Sequence, residues 1–310
     1  MVRHFEDVVR HLVEKGHTVI LAEAKRKVSR TKLPDALARL SGCSAIQVSV
    51  GESDGRRLSQ DLLRMTRDYL RYHEPAFWSA SANRKRARMR LLKTISSDAA
   101  DLPSHVPDEL FKLDESTAAR LRQMFVQLEL ALPADAGYCR FIQEQEPDLV
   151  LVTPLVNLGG RQAEFVKAAR ALSVPCGLPV FSWDNLSNKG VIHQAPDRVF
   201  VWNEVQRREA IELHGVSDDA VVVTGAPRFD EFFRMSPSSG RSDFCIRHRL
   251  DPGRPLVVYL ASSSMVSPRE PDFVDAWIAA LRGATDRSLR EVQVLVRPHP
   301  RAREIWRRHP

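Results

Sequence analysis

Cysteine is scarce in this chain. There are 4 in 310 residues, at positions 43, 139, 176 and 245, and no two form a CxxC pair. A disulfide framework or a zinc knuckle needs closer spacing, so the thiols are expected to be reduced and mostly buried, as in the cytoplasm. Long hydrophobic runs are missing too. No window approaches the ~20 apolar residues that span a bilayer, and the longest runs, 149–153 and 256–261, are strand-sized. The opening MVRHFEDVVRHL is charged throughout and does not fit a signal peptide. There is no internal repeat and no low-complexity tract. No GxGxxG follows a strand, and there is no P-loop, GxSxG elbow, HExxH or EF-hand loop. These absences exclude a common dinucleotide oxidoreductase, a P-loop kinase, a serine hydrolase and a zincin.

What is present is ordinary globular composition, 43% hydrophobic and 27% charged. The length suits about two domains of roughly 150 residues each. The net charge of +7 is uneven. Residues 1–130 hold 23 Lys/Arg against 17 Asp/Glu, and residues 131–310 hold 23 against 22. A uniformly basic nucleic-acid binder would not look like this, so no nucleic-acid partner is expected.

Phe5, Val8, Val9, Leu12 and Val13 form one helical stripe that Gly16 ends. Residues 18–22 and 46–50 then read as strands. The segment 55–130 reads as a helical insertion, with Leu58, Leu62, Met65, Tyr69 and Tyr72 at helical spacing. It contains Arg84–Lys93 (RKRARMRLLK), with six positive charges. That run reads equally as a solvated helix face and as a contact for an anionic partner, including a phospholipid surface. From 147 the pattern is β-α-β, with apolar strands at 148–153, 178–182, 197–202 and 220–224 and helices at 160–172 and 203–214. Continuous apolar strands between helices predict a parallel sheet covered on both faces. A Ser/Pro/Gly/Arg-rich hinge at 235–255 precedes a restart, with strands at 256–261 and 292–296 and a helix near 272–281. The whole reads as α/β, two Rossmann-like halves joined by a hinge.

In open parallel sheets ligands bind beyond the carboxyl ends of the strands. Four such ends are polar: Pro154–Gly160 (PLVNLGG), Ser182–Gly190 (SWDNLSNKG), Ser262–Ser264 and Arg297–Pro300 (RPHP). Ser262, Ser263 and Ser264 read as a phosphate-receiving loop or as a plain turn with an N-cap serine. Arg297 offers a planar fork to phosphate, and His299 a donor to a phosphate or sugar oxygen. In SWDNLSNKG, Asp184 and Asn185 either close a long loop or face an acceptor, with Trp183 free to stack on a sugar. Asn157 belongs to the neighbouring acceptor-side loop. His4, at the opening of the first helix, is a candidate neutral base or a solvated terminal histidine.

Taken together, RHFEDVVRHLVEKGHTVILA, SWDNLSNKG, PDRVFVWNEVQRREAIELHG, VVVTGAPRFDEFF, LVVYLASSS and RPHP resemble GT-B glycosyltransferases. The segments from SWDNLSNKG onward resemble a bacterial GT-B-like group related to the CDP-glycerol glycerophosphotransferases and surface-polysaccharide transferases. The resemblance implies two Rossmann-like domains of GT-B type: 1–230 as acceptor domain, carrying the 55–130 insertion, and 231–310 as a partial donor-nucleotide domain. It implies a nucleotide-activated sugar or polyol-phosphate donor and a glycan or lipid-linked acceptor of the cell envelope. Neither a metal nor a cofactor is implied. Ser262, Ser263, Ser264, Arg297 and His299 would face the donor, and His4 or Asp184 would be the acceptor's general base. Compared with that pattern, the first strand and the later βα units of the donor domain are missing. A cytoplasmic protein is expected, with the basic run offering a peripheral contact to the inner face of the membrane. Two alternatives stay open: a UDP-sugar 2-epimerase-like enzyme on the same scaffold, and a catalytically incomplete anion-binding or scaffold protein.

Overall fold

The computed structural model describes residues 4–24, 35–48, 50, 57–98 and 109–308. Residue 49 of the expected strand 46–50, the insertion's start at 55–56 and the side chain of Leu58 lie outside the described residues. The fold is mixed α/β, and every strand pair is parallel. The chain divides into two compact units, Met1–Phe233 and Arg234–Pro310.

The first unit opens with α1 (Glu6–Glu14), which buries Val9. Two hydrogen bonds close it, His17 N–H to the Leu12 carbonyl (3.0 Å) and Gly16 N–H to that of Val13 (2.9 Å). That pairing needs a left-handed residue, and Gly16, at φ +89°, supplies it. Strands β1 (Val19–Ala24) and β2 (Cys43–Val48), with the short helix α2 (Asp35–Ala38) between them in sequence, pair in register from Val19↔Cys43 to Ala24↔Val48.

A four-stranded sheet follows in simple order: β3 (Val150–Leu151), β4 (Cys176–Pro179), β5 (Arg198–Val201) and β6 (Val221–Val223). Helix α6 (Ala136–Gln145) precedes β3, α7 (Ala163–Ala171) joins β3 to β4, a loop joins β4 to β5, and α8 (Glu204–His214) lies between β5 and β6. Asp135 caps α6 and Asn203 caps α8 through side-chain oxygens. The core is apolar: Leu178, Val199, Val201, Ala168 and Ala169 are fully buried and pack with Val152, Ile142 and Val221. β3 is shorter than the expected 148–153, because Pro154 has no N–H to continue pairing. β4 starts two residues earlier than expected. Asp197 accepts the Cys176 N–H on its carboxylate (2.8 Å) and donates its own N–H to the Cys176 carbonyl (2.9 Å), which extends the ladder backwards.

Between β2 and β3 lie α3 (Arg57–Leu70), α4 (Ser81–Asp98) and α5 (Glu115–Ala131). Their own core joins Met65, Tyr69, Leu70, Tyr72, Phe77, Ala87, Leu91 and Ala118. The basic run sits on α4, and half of it is used internally. Arg84 donates to the Tyr72 carbonyl (2.6 Å), Arg86 to the Asn188 carbonyl, and Arg88 stacks 4.2 Å over Phe111.

The second unit pairs β7 (Leu256–Leu260) with β8 (Gln293–Arg297), from Leu256↔Gln293 to Leu260↔Arg297. The expected hinge contains helix α9 (Arg241–Arg247), which buries Cys245. Helix α10 (Glu270–Arg282) buries Val274. Among the described residues, no helix is long and apolar enough to cross a membrane.

Candidate functional site

Beyond β4 the chain runs through Val180 and Phe181 into a loop that Asp184 closes. Ser182 Oγ donates to one Asp184 oxygen (2.5 Å) and Asn188 Nδ2 to the other (2.7 Å). Partial burial pushes the Asp184 carboxyl up, but these two hydrogen bonds outweigh it and hold the group below the usual carboxylate range. Both oxygens are therefore already engaged. Trp183 stands 74% exposed, with a face open for stacking. Asn185 is buried, and neither atom of its amide has a partner among the described residues.

The loop meets the start of the chain. The His4 ring lies 5.2 Å from the Phe181 ring, and the Lys189 ammonium lies 5.5 Å from the centre of that same ring. Helix α1 packs on the turn Pro227–Phe229 that follows β6. The Phe229 ring lies 5.7 Å from Trp202 at the end of β5. An aromatic residue thus follows the carboxyl end of each of β4, β5 and β6: Phe181, Trp202 and Phe229. His4 is half-buried. Its imidazole is held below the ordinary histidine range, first by burial and then by the Arg228 charge. The expected cause was a helix terminus; burial and a neighbouring guanidinium take its place. At neutral pH the ring is uncharged and able to accept a proton.

A stripe along α3 and the 3-10 turn that follows it, Arg71–His73, fixes this loop from behind. Arg64, Arg67, Asp68 and Arg71 recur at i, i+3, i+4 and i+7, and all four are buried. Asp68 accepts the N–H of Gly159 (2.8 Å) and of Val191 (2.8 Å), and His193 Nε2 lies 3.2 Å away. Arg71 donates to the carbonyls of Lys189 and Gly190, both at 3.0 Å. Two glycines make room. A Cβ at Gly190 would sit 2.6 Å from the Asp68 carboxylate, and one at Gly160 2.4 Å from the His193 ring. Arg64 bridges Glu129 (2.6 Å) and Glu164, and Lys167 lies 3.6 Å from Glu129. His214 accepts the Ile192 N–H at Nδ1 (3.0 Å), so its proton sits on Nε2 and goes to the Leu186 carbonyl (2.7 Å). Burial, helped by the Arg71 charge, pushes this imidazole down to about 3. Asn157 is exposed at the tip of the adjacent loop, one residue past Val156, whose carbonyl accepts the Gly190 N–H (2.7 Å).

In the second unit, the Ala261 N–H donates to the Arg297 carbonyl (3.0 Å), which brings the serine loop and RPHP to the same sheet end. Arg297 is exposed. His299 is half-buried, and its Nδ1 accepts the Arg301 N–H (3.1 Å), leaving Nε2 to donate. The Ser262 N–H is taken by the buried Glu270 carboxylate, 2.9 Å from each oxygen, and the Tyr259 hydroxyl donates to the same group (3.0 Å). The Ser263 carbonyl accepts the N–H of Val266 and of Ser267, so the turn is closed internally. Ser264 is half-buried. Among the described residues no group of three or more His, Cys, Asp or Glu side chains is placed to hold a metal ion.

Sequence reasoning reached His4, Trp183, Asp184 and Asn185 but missed Phe181, Lys189, Arg228 and the α3 stripe. The signal for the stripe was present, as four charged residues at helical spacing opposite a Gly-rich pair of loops. No protein-family model matches the chain, and no curated protein matches it.

Proposed function

We propose that this chain is a glycosyltransferase-like protein of GT-B type, built on two Rossmann-like domains. It moves a sugar or polyol phosphate from a nucleotide-activated donor to a cell-envelope glycan acceptor in the cytoplasm. One observation carries this reading: an uncharged, half-buried imidazole, His4, stands against Phe181 at the carboxyl end of a parallel sheet, beside an exposed Trp183. In this role His4 takes the proton of the acceptor hydroxyl as it attacks the donor carbon or phosphorus, and the nucleotide leaves. Trp183 stacks on the acceptor ring. Asp184, with both oxygens engaged, shapes the loop and leaves the base role to His4. On the second unit, Arg297 and the His299 Nε2–H offer hydrogen-bond donors to the phosphates of a nucleotide-activated donor. An anionic membrane contact through α4 is left mainly to the exposed Lys85 and Arg90.

The test is donor binding by saturation-transfer NMR, using the full chain and a panel of CDP- and UDP-linked sugars and polyols. One or more donors should give signals. Arg297→Ala and His299→Ala should each weaken binding about tenfold, the size of a charge-assisted hydrogen bond. Silence across the panel would remove the transferase reading. A second reading, a catalytically incomplete anion-binding protein, is favoured by one observation. Glu270 already occupies the Ser262 N–H, so a donor phosphate would have to compete with a resident carboxylate.

A further inference from the structure

We infer that helices α3, α4 and α5, with the turns between them, form an arm that undocks from the sheet as one body, and that its docking holds the end of the β4 loop, residues 188–191. This undocking goes beyond the transferase reading and needs no donor or acceptor. The first unit has two apolar cores, and they share no residue. One surrounds Leu178, Val199 and Val201 in the sheet. The other lies within the arm, around Tyr69, Tyr72, Phe77 and Leu91. Among the described residues, the sheet side packs Leu158 and Leu213 against the arm's core, and both are half-buried. The rest of the seam is polar. Asp68 accepts the N–H of Gly159 and of Val191, Arg71 donates to the carbonyls of Lys189 and Gly190, and Arg86 to that of Asn188. Arg64 reaches Glu164 on α7, and Lys167 of α7 lies 3.6 Å from Glu129 on α5. Gln194 donates to the Glu129 carbonyl (3.4 Å). Apart from Arg86, all these side chains are buried.

Such a seam fixes position more than it adds strength. A buried ion pair loses most of its attraction to desolvation, whereas apolar burial is a direct gain. Several seam atoms also lack partners. Arg67 Nε, Arg71 Nε and Nη2 and His193 Nδ1 are buried with no hydrogen-bond partner among the described residues. Each bears a desolvation cost in the docked state that water removes on undocking. Both bodies keep their own cores when they part, so undocking costs far less than unfolding either of them. The end of the loop follows the arm because the arm holds its backbone: the carbonyls of Asn188, Lys189 and Gly190 and the N–H of Val191. Earlier in the loop, Gln206 holds the Ser182 carbonyl and His214 that of Leu186, so that part stays with α8. Lys189, whose ammonium lies over the Phe181 ring, is therefore placed by the arm.

Native-state hydrogen exchange of the full chain tests this, read amide by amide by NMR at low urea. Gly159 and Val191, whose N–H groups end on Asp68, report the seam. Val180, bonded to the Phe200 carbonyl (2.9 Å), reports the sheet, and Leu91, buried in α4, reports the arm. Gly159 and Val191 should be protected alike and at least about a hundredfold less than Val180 and Leu91. Their urea dependence should be weak, as for an opening that exposes little surface. Gly190 should exchange with them, although its N–H ends on Val156, outside the arm. Val199→Ala should speed exchange at Val180 about thirtyfold and leave Gly159 and Val191 unchanged. Glu164→Gln, which removes the charge that Arg64 reaches across the seam, should speed Gly159 and Val191 at least about tenfold. If Gly159 and Val191 exchange only with Val180, and quicken with it in Val199→Ala, the arm does not undock. If Leu91 loses protection along with them, the arm melts instead of moving as one body. If Gly190 stays protected while they exchange, docking does not hold the loop. Any of these three outcomes overturns the proposal.

Discussion

Around β5, Val199 and Val201 are fully buried among Leu178, Val180 and Val221. Across α3, Arg64, Arg67, Asp68 and Arg71 are almost as deeply buried, yet each is a charged group. The two regions hold the same unit by different physics. Apolar burial is non-directional and roughly proportional to area, so the sheet core can relax around a lost methyl. The α3 layer is directional. The Asp68 oxygens and one Arg71 nitrogen are aimed at the backbone of the functional loop and Arg64 at the carboxylates of Glu129 and Glu164, while Arg67 Nε and Arg71 Nε and Nη2 are buried with no hydrogen-bond partner among the described residues. Asp68 and Arg71 together fix Gly159, Lys189, Gly190 and Val191. The sheet core therefore sets how stable the unit is, and the polar layer sets where Lys189 stands.

The largest effect should come from Asp68→Ala. It strands two buried N–H groups and leaves the neighbouring arginines without their counter-charge, a loss of about 4 kcal/mol. Urea unfolding should show it, and the His4 ring NMR signal, set by its contact with Phe181, should shift in whatever fraction stays folded. Gly190→Ala attacks the same contact sterically. Its Cβ would press on the Asp68 carboxylate, costing ~3 kcal/mol and displacing Lys189. Val199→Ala should cost about 2 kcal/mol in the sheet core and leave the His4 signal in place. If Val199→Ala and Gly190→Ala shifted the His4 signal equally, the division of labour between the two regions would collapse.

How much of this was legible in the sequence follows the same divide. The strands of the four-stranded sheet were readable because DLVLVT, DRVFVW and AVVVT are apolar runs bounded by turn residues, but the expected cover on both faces fails at the sheet edges, where Leu151, Val222 and Val223 are exposed. Their ends were not readable, since Pro154 and the Asp197–Cys176 clamp decide them. The α3 layer was hidden because Arg64, Arg67, Asp68 and Arg71 look like an exposed face until the carbonyls and carboxylates opposite them are known. Gly160 and Gly190 were read as features of ligand-approach loops. Their contacts are with His193 and Asp68 of the same chain. The contact of His4 with Phe181 joins residues distant in sequence, and no local pattern announces it. Ser262 was readable as a strand-end residue, but its N–H partner, Glu270, was not.

The smallest effect near neutrality is on pH dependence. The unfolded His214 imidazole titrates near 6.5 and the folded one near 3. The unfolded chain therefore binds the extra proton first, so this contribution to stability is complete above about pH 6.5 and is lost as pH falls toward 3. Protonation at Nδ1 would break the bond from the Ile192 N–H and loosen the polar side of the unit before its apolar core. Urea midpoints taken from pH 8 to pH 5 should decline on the acid side, and His214→Asn should flatten that decline. A flat profile in the unsubstituted protein would contradict the assignment.

The most direct test of the strand-end site is turnover, with one side chain changed. With the donor that gives the strongest saturation-transfer signal and a phosphorylated polyol acceptor, transfer should be measurable in the full chain. His4→Gln should lower it at least about a hundredfold, the usual worth of a positioned general base, while leaving donor affinity unchanged. Transfer that persists at the same rate in His4→Gln would contradict the account and move the chemistry away from the carboxyl end of β4.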